Sequence, residues 1–407
     1  MAIPVLFLAL WVAVNRIEWL GPIVADSLRA VVGTDNVAKL EDALYGLQDR
    51  FMLIWRKGEK PKAYWKVPAQ SAPVLANPPL AAPTGSANMG SGEAASPTPP
   101  AVSFHPQAVG PVHKSWSAPG DGEWVPMPDV DHPNRPVTMY KTLLHPDKDR
   151  SWAELFVVAI DLTQTHIELV PGKQEPVATE AEAAEMVRPG RIPPEYEADV
   201  IAAFNGGFKT EHGAYGMKVN DMLIVAPQPT VCTIARYKDD NMRVASWPLL
   251  KDGEADMVWW RQTPNCMYEH GKLNAFLKEG RVKKWGATLD GETVIRRSAI
   301  GISEDGHTLY VSISNNTTAP AIAWGMQHAG AITVAQLDIN YSFPKFVTFE
   351  ANKESGKRIA IALADGFEFS ENEFIRKSSP RDFFYILPRS LGQSASNQAA
   401  ASTSAPH

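Results

Sequence analysis

Apolar and polar positions follow several rhythms along this chain, and each rhythm predicts a different kind of segment. From Thr34 onward Val37, Leu40, Leu44, Leu47, Phe51 and Ile54 recur three and four residues apart, behind a Thr-Asp-Asn cluster suited to an N-cap. This spacing predicts an amphipathic helix over 34–58. Its Trp55, Arg56 and Lys57 suit a membrane surface, although packing against another helix explains the same pattern. Ahead of it, Ala2 to Val14 is an apolar run broken by Pro4 and ended by Asn15, Arg16 and Glu18. That is shorter than the roughly 20 residues of a spanning helix, and no basic region precedes it as one would in a secretory signal. We read residues 1–24 as the remainder of a signal or membrane anchor whose basic flank is encoded upstream, with a buried amphipathic helix as the second reading.

Over 67–112 the periodicity vanishes. Pro, Ala and Ser dominate, and Glu93 and His105 are the only ionisable side chains. Such a segment has too little apolar side-chain area to offset its ordering entropy, which predicts a flexible linker. The Ala- and Ser-rich tail over 391–407 reads the same way.

Between them, over 113–390, short strand-like runs predominate: Leu155 to Asp161, His166 to Val170, Asp199 to Phe204, Val294 to Ile302, Thr308 to Ser314, Thr333 to Leu337 and Phe383 to Leu387. Helical patterns are fewer, chiefly Glu180 to Val187 and Pro320 to Ala329. The expectation is one α+β domain built on a mixed sheet. Composition adds exclusions rather than detail. A chain of 407 residues, 44% apolar and 21% charged with a net charge of -6, can bury a sizeable core. Its spread acidity offers no basic face for nucleic acid. The two cysteines, Cys232 and Cys266, either form one bridge or are two buried thiols.

Four places carry candidate chemistry. The strand ending at Phe204 stops at Asn205-Gly206-Gly207-Phe208, where glycines let backbone N–H groups approach an anion, although Asn-Gly is also a common hairpin turn. Ser314-Asn315-Asn316-Thr317-Thr318 followed by Pro320 marks a helix N-terminus, which favours an anion or is a simple cap. Asp338, at the end of an apolar strand, can serve as acid, base or ligand, or can open a turn. Arg297, sharing a face with Ile295, Ala299 and Gly301, suits a phosphate, or it snorkels from an edge strand. The motifs of zinc hydrolases, serine triads and P-loops are missing, and the cluster Asp121, Glu123, Asp129 and Asp131 lacks EF-hand spacing. No metal or cofactor is expected.

In order, Ala202-Ala203-Phe204-Asn205-Gly206-Gly207-Phe208, Tyr215-Gly216-Met217-Lys218-Val219-Asn220, Arg297-Ser298-Ala299-Ile300-Gly301, and Ala329-Gly330-Ala331 leading to Leu337-Asp338 form a series that resembles the phosphodiester glycosidase family. The resemblance implies an α+β domain that removes a sugar joined through its anomeric carbon to a phosphodiester. It implies that Asn205, Gly206 and Gly207 line the pocket, that Arg297 holds phosphate and that Asp338 is the essential carboxylate; Asn316, Thr317 and Asn340 are expected beside them as further substrate contacts. Two departures stand out. The family continues Leu-Asp with Gly-Gly and a Ser, whereas here Leu337-Asp338 leads into Ile339-Asn340-Tyr341-Ser342, and Lys209 replaces a frequent aromatic. Side chains where backbone would approach the ligand predict a reshaped pocket. The implied function is an extracytoplasmic, membrane-anchored glycosidase acting on sugar-1-phosphodiesters in envelope or exopolysaccharide metabolism. The alternative is a non-catalytic relative that binds envelope glycans or phosphate polymers.

Overall fold

Eighteen strands account for most of the regular structure in the computed structural model, which describes residues 46–67, 104–281, 285, 294–339 and 342–391. In chain order they begin with β1 (Val125–Pro126), β2 (Met139–Leu144), β3 (Leu155–Asp161), β4 (Thr165–Val170) and β5 (Ala202–Asn205). There follow β6 (Met217–Val219), β7 (Met222–Val225), β8 (Cys232–Tyr237), β9 (Met242–Ser246) and β10 (Met257–Thr263). The short β11 (Tyr268–Glu269) and β12 (Lys272–Leu273) precede β13 (Ile295–Ile302) and β14 (Thr308–Thr317). The helix Ala319–His328 then leads to β15 (Thr333–Ile339), β16 (Phe346–Ala351), β17 (Arg358–Ala362) and β18 (Phe383–Pro388). The predicted 1–24 segment, most of the 67–112 linker and nearly all of the tail lie outside the described residues.

These strands form three sheets. One has eight strands in the order β1-β2-β3-β14-β13-β15-β11-β12, and two have five, β7-β6-β10-β8-β9 and β17-β16-β5-β18-β4. All the strand pairs are antiparallel, so the expected mixed sheet is corrected to three antiparallel ones within an α+β fold. The reason is topological. A parallel pair needs a long crossover, usually helical, and the helix Ala319–His328 does join two strands of the same direction, β14 and β15, but β13 sits between them. Its N-cap is Thr318, whose side chain accepts from the Ala321 N–H at 3.2 Å, with Pro320 in the first turn.

One face of each sheet meets in a common core. Phe156, Val158, Ile300 and Leu337 come from the large sheet, Phe204, Phe346 and Phe384 from one small sheet, and Met217, Ile234 and Trp259 from the other. The opposite face of the large sheet is covered by the helix through Ile322, Ala323 and Met326, which is why β3 is buried at all seven positions. A Cys232–Cys266 disulfide ties β8 to the chain beyond β10. Residues 104–112 are packed as well: the Phe104 ring lies 5.8 Å from that of Tyr140, and Trp124 Nε1 donates to the Gln107 carbonyl at 2.9 Å.

Candidate functional site

A cavity of about 180 Å³ opens where β5, β15 and the chain entering β18 converge. Asn205, Gly206, Gly207 and Asp338 line it, joined by Lys345, Glu373, Lys377, Arg381 and Asp382, with Phe343 and Phe369 as aromatic walls. Residues remote in sequence meet here because β18 pairs with β5, placing Phe383 opposite Asn205.

Asp338 owes its position to a β-bulge. Arg297 pairs with Ile339 and Ala299 with Gln336, so the single residue Ser298 faces both Leu337 and Asp338. The extra residue turns Asp338 to the same side as Leu337 and into the cavity. Its carboxyl is buried, and Arg381 Nη1 lies 2.8 Å from Oδ2. That contact is a close ion pair between two buried side chains. Burial pushes the carboxyl up to about 6, a rise opposed by Arg381 and reinforced by Asp382. A carboxyl tuned to this range changes protonation near neutrality, as a general base or nucleophile at a reacting centre requires.

The Gly206-Gly207 turn works differently from the expectation. Neither glycine has positive φ, and β5 continues into no hairpin, since its partners are β16 and β18. Both N–H groups are already engaged, Gly206 with the Asp382 carbonyl at 2.8 Å and Gly207 with Asp382 Oδ2 at 2.9 Å. Glycine is needed for room. A Cβ on Gly206 would stand 2.2 Å from Asp382 Oδ2, and one on Gly207 would stand 2.9 Å from the Arg261 guanidinium. The turn is therefore clamped rather than open to an anion, which corrects the idea that its backbone N–H groups receive phosphate.

Arg261, wholly buried on β10, supplies the clamp. Its Nε donates to Asp382 Oδ2 at 2.9 Å, Nη2 to the Phe208 carbonyl at 2.6 Å, and Nη1 to the Tyr215 carbonyl at 2.8 Å. Asn205 is also a brace: its Nδ2 donates to Ser298 Oγ at 2.8 Å while its Oδ1 accepts from the Lys345 N–H at 3.0 Å. Ser298 Oγ passes the chain on to the Asp338 carbonyl at 2.8 Å.

Arg297 does not join this cluster. It alternates with Ala299 onto the helix-covered face of the large sheet, where Nε donates to the Thr317 carbonyl at 3.1 Å and Nη1 to Gln336 Oε1 at 2.9 Å. The clean alternation expected for the strand holds, but the face it selects is the one away from the cavity. Asn316 is exposed with φ 49° at the end of β14, and neither it nor the buried Thr317 lines the cavity. Asn340 lies outside the described residues.

The cations that do line the cavity, Arg381, Lys345 and Lys377, are residues that sequence reading passed over. Arg381 Nη2 donates to the Gly207 carbonyl at 3.0 Å, its guanidinium lies 4.5 Å from the Phe343 ring centroid, and Nε has no acceptor among the described residues. Lys345 and Lys377 reach the two oxygens of Glu373 at 3.1 and 3.3 Å. The available signal was the adjacent opposite charges Arg381-Asp382 immediately before an apolar strand. No group of three or more His, Cys, Asp or Glu side chains among the described residues is arranged to hold a metal.

No family model matches the chain, and no curated protein matches it. Among solved structures, it is similar to the catalytic domain of zebrafish N-acetylglucosamine-1-phosphodiester alpha-N-acetylglucosaminidase auto-inhibited by its pro-peptide, at 14% identity and a TM-score of 0.39 over 65% of this chain and 88% of that one. A hypothetical protein from Synechocystis scores 0.34 at 11% identity, covering 62% of each chain. An exported protein of Burkholderia pseudomallei scores 0.28 at 12% identity, over 58% of this chain and 74% of that one. Scores this low leave the chemistry to be read from the site itself.

Proposed function

We propose that the domain hydrolyses a sugar-1-phosphodiester, with Asp338 acting at the anomeric carbon and Arg381 holding the phosphate. The observation that carries this reading is the buried Asp338 carboxyl, raised to about 6, set 2.8 Å from a buried guanidinium in one cavity. In the reaction the bond between the anomeric carbon and the phosphate oxygen breaks. Water supplies hydroxyl to the sugar and a proton to the medium, and a phosphomonoester departs. A phosphate leaving group needs little acid assistance, so the demand falls on stabilising positive charge at the sugar, for which a carboxylate is suited. Arg381, with Lys345 and Lys377 beside it, offers charge to the departing phosphate. Asn205 and the Gly206-Gly207 turn hold these groups in register.

The Cys232–Cys266 bridge supports an extracytoplasmic setting, because such bonds persist where the medium is oxidising. An envelope or exopolysaccharide substrate fits that setting. A second reading, a non-catalytic module that binds phosphate-bearing glycans, is favoured by the cavity volume of about 180 Å³, small beside the roughly 300–1,000 Å³ of most ligand sites.

A panel of sugar-1-phosphodiesters separates the two. Asp338→Asn is expected to lower sugar release by roughly 10²–10⁴-fold with folding retained, and Arg381→Met is expected mainly to weaken diester binding. If the wild-type protein binds the diesters and cleaves none, the binding module stands.

A further inference from the structure

The helix over 46–55 turns a stripe of large apolar side chains away from the domain. Leu47, Phe51, Ile54 and Trp55 recur at helical spacing and form one stripe, and they are 66%, 62%, 78% and 74% exposed. The face held against the domain is mixed, with Asp49, Met52, Leu53 and Arg56 half-buried. Arg150 donates from Nε and Nη2 to the two oxygens of Asp49 at 2.8 and 2.6 Å, and its Nη1 reaches Asp147 at 3.0 Å. About two turns further on, the Arg56 guanidinium lies 5.0 Å from the Trp152 ring centroid. These contacts fix which side of the helix looks outward, and that side carries the stripe of Leu47, Phe51, Ile54 and Trp55, where a surface helix ordinarily turns its largest apolar stripe to the core.

Charge indicates what covers the stripe. Over 46–67 there are six cations, Arg50, Arg56, Lys57, Lys60, Lys62 and Lys66, against the two carboxylates Asp49 and Glu59, whereas the whole chain carries a net charge of -6. Lys57, Lys60 and Lys66 are exposed. A second copy of the chain would bring the same cations face to face, but an anionic lipid surface complements them. No helix among the described residues is long and apolar enough to cross a membrane, so the geometry is that of a helix lying in the interface.

We propose that this helix docks the domain on an anionic lipid surface, with Leu47, Phe51, Ile54 and Trp55 entering the boundary between headgroups and acyl chains while the lysines of 57–66 meet the lipid charge. Because Arg150 binds the helix to the chain between β2 and β3, the domain sits on the membrane in a set orientation instead of swinging on a tether.

Flotation of the full chain with phosphatidylglycerol-containing vesicles, and with pure phosphatidylcholine vesicles, tests this. The wild type is expected to float with the anionic vesicles and to be released by salt. Phe51→Ser/Trp55→Ser and Lys57→Glu/Lys60→Glu/Lys66→Glu are each expected to lower binding roughly tenfold or more, with thermal melting unchanged because the substituted side chains are exposed. Flotation of Phe51→Ser/Trp55→Ser equal to that of the wild type overturns the proposal and assigns lipid binding to another segment. So does a wild type that stays with the soluble fraction. A dimer seen by light scattering and abolished by the same double substitution, without flotation, gives the stripe to a second copy.

Discussion

Arg297 and Arg381 are both buried arginines close to Asp338 in the fold, yet the structure employs them differently. Arg297 donates to neutral acceptors, the Thr317 carbonyl and Gln336 Oε1 among them, and burial pushes its pKa down. Arg381 pairs directly with the Asp338 carboxylate on the cavity wall, stacks on Phe343 and keeps Nε without an acceptor among the described residues. An arginine whose donors are consumed by carbonyls braces two strands, whereas one opposed to a carboxylate beside open space can act on a ligand. Residue type does not separate them. The alternation of β13 and the bulge in β15 do, because together they send Arg297 and Asp338 to opposite faces of one sheet.

The sharpest way to break that comparison is to strip the site of its own brace. Arg261→Met leaves Asp382 buried without its counter-ion, and chemical denaturation should show a loss of about 3–5 kcal/mol. Adding Asp382→Asn should restore part of it; no restoration would mean that the ion pair is not what stabilises the glycine turn.

A smaller effect is expected from Asp338 itself, and it depends on pH. Its folded pKa of about 6 lies above the ordinary carboxyl value of 3.8, so the fold favours the protonated form. Its contribution to stability is fully present below the unfolded pKa and is lost as pH rises through about 6. Relative to the wild type, Asp338→Asn should gain about 2–3 kcal/mol between acid and pH 8 when melting is followed in parallel, whereas a constant difference would place the titration elsewhere. Diester cleavage, needing the carboxylate, should climb over the same interval.

Arg297→Met should cost the least, about 1–3 kcal/mol for the buried acceptors it orphans, and should leave diester affinity unchanged while Arg381→Met lowers it. Equal losses of affinity in calorimetry would return Arg297 to the site.

Much of the fold was legible because local pattern and burial agree. The runs at Leu155, Thr308, Thr333 and Phe383 are strands, and Pro320 does open a helix after a capping Thr318. The whole sheet β7-β6-β10-β8-β9 escaped notice, because buried polar residues such as Thr233, Arg236, Arg261 and Gln262 interrupt its apolar alternation. Those residues are tolerable only once tertiary partners satisfy them, and no local pattern announces such partners.

From its residues alone the chain specified strands, a capped helix, a turn at Asn205-Gly206-Gly207 and a carboxylate ending a strand at Asp338, since periodicity, capping and glycine act over a few positions. Folding decided that the pocket's guanidinium belongs to Arg381 and that the glycines make room for Asp382 and Arg261. The physical reason is that a one-residue bulge and the pairing of β18 with β5 are long-range choices, settled by which side chains pack and which charges find partners rather than by neighbours along the chain.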